Sequence, residues 1–190
     1  MPLMIDHAKT LAAAMLLVAG ASGCASDPGT VATVDYRNAS YPIGDRQVTL
    51  VDGRAESPAA PGSTALIVTR LFGNEARGDL NGDGRDDVVF LVTQERGGTG
   101  VFYYVVAALA ADDRYTGSPG LLLGDRIAPQ GIEIGANGMV TVNYADRAPG
   151  EGFTTPPSIG RSLRLKLDAQ SLEFVEVAQG VVGGADLTSR

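Results

Sequence analysis

Cysteine, histidine and tryptophan are almost missing from this chain. Its 190 residues include one Cys, one His and no Trp. A single cysteine cannot form an internal disulfide, so the fold has to be stable on core burial and any bound ion. The charge is also one-sided, with a net charge of -7, which argues against a nucleic-acid-binding surface because such a surface is basic.

What the chain has in excess is glycine, at 25 of 190 residues, while its hydrophobic content of 44% is ordinary for a globular protein. Glycine at nearly twice its usual share of about 7% indicates many turns between short elements. The length fits one domain, since a domain commonly takes about 100–200 residues.

The N-terminus has the features of an export signal. Lys9 precedes an apolar run over residues 11–18, which is too short to span a bilayer, and small residues follow at 19–23. We predict that residues 1–23 are a signal peptide and that 24–32 are a tether. An ordinary cleaved signal peptide that happens to precede a cysteine is the alternative.

Residues 21–24, Ala-Ser-Gly-Cys, resemble the lipobox of bacterial lipoproteins. The resemblance implies cleavage before Cys24 and acylation of its thiol, so that lipid chains hold the protein on a membrane. Because Ala25 follows the cysteine where inner-membrane lipoproteins often carry Asp, it also implies the outer membrane of a Gram-negative envelope, facing the periplasm.

Export would exclude most catalytic mechanisms for the mature domain, because it would leave no histidine and no free cysteine. Loss of the first 23 of 190 residues leaves 167, and His7 leaves with them while Cys24 becomes the lipid attachment point. A Ser-His-Asp triad, a Cys-His pair and a zinc site built from His or Cys are then excluded.

Beyond residue 32 the apolar residues either alternate with polar ones or form short continuous runs, and both patterns are typical of strands. Strands are predicted over residues 47–51, 65–72, 88–93, 101–109, 121–123, 132–134, 140–144, 163–167 and 172–177, with loops over 54–63 and 146–160. The runs 88–93 and 101–109 are apolar throughout, which favours a central hairpin buried on both faces. Asn137-Gly138 predicts a second hairpin. We therefore expect an all-β, mainly antiparallel domain over 33–178, as a β-sandwich or a rolled sheet, with a flexible tail at 179–190.

One motif carries recognisable chemistry, the D-x-N-x-D-G-x-x-D pattern over residues 79–87. Calcium takes six to eight oxygen ligands, and alternate positions of a tight loop supply them. The predicted ligands are the side chains of Asp79, Asn81 and Asp83, the backbone carbonyl of Arg85, and Asp87 directly or through water. Phe90 stands where an EF-hand has its bidentate Glu, so no flanking helices are expected.

The loop resembles the strand–loop–strand calcium loops of FG-GAP and VCBS repeats, in which the same pattern runs into an apolar strand. The resemblance covers about fifteen residues and implies one structural Ca²⁺. The chain after the signal peptide is also similar to a group of small exported bacterial proteins, through blocks at 72–76, 100–104, 123–129 and 143–147. No activity follows from that similarity.

The sequence thus favours a non-enzymatic lipoprotein of the cell envelope that binds an envelope protein or glycan or has a structural role. Two alternatives remain open. One is a hydrolase that uses carboxylates, with Glu75, Asp125 or Asp146 as candidates. The other is an adhesin or ligand-binding module that uses loop 146–160 and three tyrosines, Tyr103, Tyr104 and Tyr144.

Overall fold

A computed structural model describes residues 35–178, which form twelve β-strands and two short 3-10 helices. The helices are Tyr36–Asn38 and Ala136–Gly138. The strands are β1 (Ser40–Ile43), β2 (Arg46–Thr49), β3 (Arg54–Pro58), β4 (Leu66–Gly78), β5 (Asp87–Glu95), β6 (Val101–Ala110), β7 (Tyr115–Gly117), β8 (Leu121–Asp125), β9 (Ala128–Ile134), β10 (Met139–Asp146), β11 (Ile159–Leu167) and β12 (Phe174–Glu176). The predicted signal peptide at 1–23, the tether at 24–32 with Cys24, and the tail at 179–190 all lie outside the described residues.

The strands form three antiparallel sheets. A six-stranded sheet has the order β3-β4-β5-β6-β7, with β8 also pairing with β6. A four-stranded sheet has the order β12-β11-β10-β9, and β1 and β2 form a separate hairpin. The prediction of an all-β, mainly antiparallel domain is confirmed, and of the two expected architectures the sheets fit the β-sandwich.

Two hydrophobic clusters cover opposite faces of the six-stranded sheet. Alternate residues of β5 point to opposite faces, so Val89 and Leu91 pack in the cluster shared with the four-stranded sheet. Phe90 packs in the other cluster, against Tyr36 and Tyr41 from the N-terminal part of the domain. Burial on both faces explains why residues 88–92 of β5 and residues 101–110 of β6 form continuous apolar runs, as expected from the sequence.

The four-stranded sheet has one buried face and shows the alternation expected of it. Val140 and Val142 of β10 and Leu165 of β11 are 0% exposed. The turn predicted at Asn137-Gly138 joins β9 to β10, with positive φ angles of 61° and 64°, which asparagine and glycine tolerate better than other residues.

Two local predictions were wrong. Residues 54–58, expected to be part of a loop, form β3 because their backbone pairs with β4 from Arg54↔Arg70 to Pro58↔Leu66. Pro58 fits there because β3 is an edge strand and ends at this residue, so no ladder hydrogen bond is lost. The last strand is shorter than predicted, since Leu172 has a φ of 59° and β12 begins only at Phe174.

Within residues 35–178, no helix is both long enough and apolar enough to cross a membrane.

Candidate metal site

The D-x-N-x-D-G motif forms the loop between β4 and β5. Its base is closed by the pairing of Gly78 with Asp87, the last residue of β4 and the first of β5. Gly82 and Gly84 have φ angles of 83° and 82°. Because side-chain-bearing residues rarely adopt such angles, glycine at these two positions lets the loop reverse direction within a few residues.

The side chains of Asp79, Asn81 and Asp83 hydrogen-bond to the loop's own backbone. Asp79 accepts from the amides of Gly82 at 2.7 Å and Gly84 at 2.9 Å. Asn81 Oδ1 accepts from the Asp83 amide at 3.0 Å. These bonds fix the side chains without using all of their capacity, since each oxygen has two lone pairs.

The first carboxylate of the motif is held in its charged form. The Gly84 amide, and then the Gly82 amide, donate to Asp79 and keep the pKa of its carboxyl below the ordinary value. The Asp83 carboxylate accepts a hydrogen bond from the Arg85 amide at 2.9 Å. The loop thus presents two carboxylates and one amide oxygen within five residues of chain.

Asp87 is placed differently, because its side chain is buried at the base of the loop. It is 0% exposed, and its two oxygens accept from the Leu80 amide at 3.0 Å and the Ala110 amide at 2.8 Å. Burial raises the pKa of Asp87, and the charges of Asp83 and Asp79 act in the same direction, although the two backbone bonds oppose them. Asp87 therefore ties the loop to β6 as well as closing it.

The side chain of Arg85 turns away from the loop to form an ion pair with Asp112, with Nη2 and Oδ1 2.6 Å apart. Arg85 would therefore contribute its backbone carbonyl, as the sequence pattern predicts. Within residues 35–178 no group of three or more His, Cys, Asp or Glu side chains converges on a common point. The candidate site thus depends on amide and backbone oxygens as well as on carboxylates.

The turn between β9 and β10 packs against the backbone of the loop at Leu80. A Cβ atom on Gly138 would lie 2.8 Å from the Leu80 carbonyl oxygen, so only glycine allows this close approach. Between the loop and this turn lies a cleft of about 490 Å³, lined by residues that include Asp79, Asn81 and Lys166. The Lys166 amino group donates to the Asn137 carbonyl at the cleft's edge.

The three carboxylates considered for hydrolysis lie in different surroundings. Glu75 accepts a hydrogen bond from the Tyr36 hydroxyl, and Asp125 is paired with Arg126 through two contacts of 3.1 and 3.0 Å. Asp146 borders a cleft of about 400 Å³ that also contains Glu176.

The tyrosines suggested for ligand binding are packing residues for the most part. Tyr104 is 4% exposed and Tyr144 9% exposed. Tyr103 packs edge-on against Phe72, with ring centroids 5.2 Å apart. The adhesin alternative therefore loses most of the aromatic surface on which it depends.

The loop predicted at 146–160 spans residues 147–158 and is held by Arg147. The Nε of Arg147 donates to the Thr155 carbonyl at 2.6 Å, and its Nη1 donates to the Arg126 carbonyl at 3.0 Å. The Arg126 guanidinium lies 3.8 Å from the centroid of the Phe153 ring. Sequence reasoning missed this arrangement, as it missed Glu176, because no local spacing links residues so far apart in the chain.

Fold and site together define an all-β sandwich domain with an acidic hairpin loop. Comparison with protein-family models, curated proteins and solved structures finds no match for this chain.

Proposed function

We propose that this protein is a cell-envelope lipoprotein whose β domain is stabilised by one Ca²⁺ in the loop 79–87. The observation that carries the proposal is the arrangement of Asp79, Asn81 and Asp83 on the loop's own amides. Without a cation the two carboxylates repel one another in a short loop, whereas a bound cation removes that repulsion.

The donor set fits a hard divalent cation. Asp79 and Asp83 supply carboxylates, Asn81 an amide oxygen and Arg85 a backbone carbonyl, and all are oxygen donors of the kind that Ca²⁺ prefers. Asp87 would contribute directly or through water. When bound, the ion would neutralise charge and cross-link the loop, which joins β4 to β5, the central strand of the six-stranded sheet.

The expected binding is weak, because the loop is unpaired and lacks a bidentate Glu. A dissociation constant of about 10⁻⁴ M is typical of extracellular calcium modules. At about 1 mM free Ca²⁺ this gives roughly 1.4 kcal/mol of stabilisation, which corresponds to a rise in Tm of about 3–6 °C for a domain of this size.

Thermal unfolding with Ca²⁺ and with EDTA tests the site. We expect the wild-type protein to show the shift and Asp83→Ala to lose it. Asp113→Ala is the matched control, because it removes an exposed carboxylate outside the loop and should keep the shift. An unchanged Tm in wild type, or an equal shift in Asp83→Ala, contradicts the proposal.

In the cell this domain would be attached to the membrane through acylated Cys24, on the periplasmic face of the outer membrane. It would act without catalysis, by binding an envelope protein or glycan or by supporting the envelope. A carboxylate hydrolase is the alternative, and the cleft that holds Asp146 and Glu176 is the location that favours it. Hydrolysis of an envelope glycan that is lost in Asp146→Asn would decide for the hydrolase.

A further inference from the structure

A cleft of about 490 Å³ lies beside the acidic loop, and three segments that are distant in the chain line it. They are the first half of the loop, the turn between β9 and β10, and the end of β11. Four of the lining residues are glycines, at positions 78, 82, 135 and 138, so much of the wall consists of peptide groups rather than side chains. The volume is within the range of about 300–1,000 Å³ that is typical of small-molecule sites.

Lys166 gives the cleft its positive charge. It is the only lysine among residues 35–178, and its position directly across from Met139 and Val175 places it on the outer face of the four-stranded sheet. Its amino group donates to the Asn137 carbonyl. In this part of the chain no carboxylate lies within 4.0 Å of that amino group, and an ammonium has three donors, so two are left for a ligand.

The acidic residues near the cleft determine when an anion can enter it. Asp79 also lines the cleft, and two loop amides hold its carboxylate in the charged form. Asp168 is near in sequence, but its carboxylate accepts from the amides of Gln170 and Ser171 in its own turn. Without a cation, Asp79 therefore offsets the charge of Lys166 and repels an anion.

A Ca²⁺ ion in the loop would reverse this balance. Its two positive charges equal the negative charges of Asp79 and Asp83, which leaves Lys166 as the uncompensated charge at the cleft. Asp83 is not one of the lining residues, so the ion acts on the cleft through its charge and no direct contact between ion and ligand is required. The loaded loop therefore allows an anionic group to pair with Lys166.

The other lining groups match the hydroxyl groups of a ligand. None of the described residues that line the cleft is aromatic, and Asn81 and Asn137 add side-chain amides that donate and accept hydrogen bonds. A small molecule with several hydroxyls and one carboxylate matches this arrangement, and the acidic sugar unit of a glycan is such a molecule.

We propose that this cleft binds the acidic sugar unit of a glycan, with the sugar carboxylate on Lys166, and that Ca²⁺ in the loop 79–87 strengthens the binding. The inference rests on the proposed calcium site and specifies the ligand of the envelope protein proposed above. The side-chain amides of Asn81 and Asn137 bond to the sugar hydroxyls. Because coupling between two sites is reciprocal, the sugar strengthens Ca²⁺ binding by the same factor.

Amide NMR of the full chain, during titration with sodium glucuronate, glucose or glucosamine at constant ionic strength, tests the proposal. With saturating Ca²⁺, glucuronate should shift the amide signals of Gly135 and Gly138. Glucose and glucosamine should bind about tenfold more weakly or worse, because they lack the carboxylate that pairs with Lys166. In EDTA the affinity for glucuronate should fall about fivefold, because the loop carboxylates are then uncompensated.

Three variants separate the two parts of the proposal. Lys166→Gln should weaken glucuronate binding about tenfold and keep the rise in Tm with Ca²⁺. Arg164→Gln is the matched control, because it removes a positive charge from the same face of β11 at a residue that does not line the cleft. Asp83→Ala should lose both the rise in Tm and the effect of Ca²⁺ on glucuronate binding.

Several results would overturn the proposal. Equal binding of glucuronate and glucose, an unchanged affinity in Lys166→Gln, or equal affinities in Ca²⁺ and in EDTA contradicts it. If Ca²⁺ raises the Tm of wild type but glucuronate does not bind, the calcium site stands and the sugar site is wrong. If Ca²⁺ leaves the Tm unchanged and glucuronate does not bind, both proposals are wrong.

Discussion

At the scale of single residues, the polar side chains of this domain act by holding loops to strands. The Asp125 carboxylate, which is 18% exposed, accepts from the Val101 amide at 2.8 Å and from the Arg126 guanidinium. Burial would raise the pKa of Asp125, but the bonds from Arg126 and Val101 outweigh it and hold the pKa below its ordinary value of 3.8.

This lowered pKa predicts an acid-dependent contribution to stability. Because the folded-state pKa lies below the unfolded-state pKa, the contribution is present above about pH 4 and is lost as the pH falls through the folded-state value. Asp125→Asn should therefore cost about 1–2 kcal/mol of unfolding free energy at neutral pH.

Urea unfolding of wild type and Asp125→Asn across the acid range measures this difference. The two proteins should converge in stability as the pH falls below the lowered folded-state pKa of Asp125. Asp113→Asn, at a side chain that is 78% exposed, should differ little from wild type at any pH. A difference between wild type and Asp125→Asn that stays constant with pH would contradict the assignment.

At the scale of elements, β5 is the central strand of the domain. It pairs with β4 and β6, and its two faces contribute to two separate hydrophobic clusters. Phe90 is 0% exposed and lies 5.0 Å from the Tyr36 ring and 5.4 Å from the Tyr41 ring, measured between centroids. Phe90 is therefore one of the side chains that pack the N-terminal part of the domain onto the sheet.

Truncation of Phe90 tests that role. Phe90→Ala should lower the free energy of unfolding by about 3–5 kcal/mol, because it leaves a cavity among aromatic rings. Leu122→Ala, at a position that is 51% exposed, should cost less than about 1 kcal/mol. Denaturant unfolding measures both losses. Similar values in the two variants would show that the cluster around Phe90, Tyr36 and Tyr41 contributes little to stability.

At the scale of the whole molecule, the proposed lipid anchor and the proposed calcium site belong to different parts of the chain. Cys24 precedes the described domain, while the proposed calcium loop is formed by residues 79–87. Variants at Cys24 and in the calcium loop should therefore test the anchor and the calcium site independently.

Detergent phase partition of cells that produce the protein tests the anchor. Wild type should enter the detergent phase, because acyl chains contribute about 0.8 kcal/mol for each buried CH₂ group. Cys24→Ser should enter the aqueous phase, and Asp83→Ala, which leaves the cysteine intact, should follow wild type. Wild-type protein found in the aqueous phase would rule out lipidation.

The sequence by itself determined the strand class, the doubly buried hairpin of β5 and β6 and the Asn137-Gly138 turn, because hydrophobic period and turn chemistry are local properties. It also located the acidic loop, whose spacing is local. It did not determine β3, because Pro58 and the polar composition of this segment are typical of a loop. The segment is a strand because its backbone pairs with β4.

Only the tertiary structure decided which charged residues meet. The Asp87 carboxylate accepts a hydrogen bond from the Ala110 amide, and Arg161 shares a cleft with Glu176. These contacts join residues from separate strands, and their formation depends on sheet order and register. Neither order nor register is encoded in the spacing of neighbouring residues, since pairing is selected by the burial of whole faces.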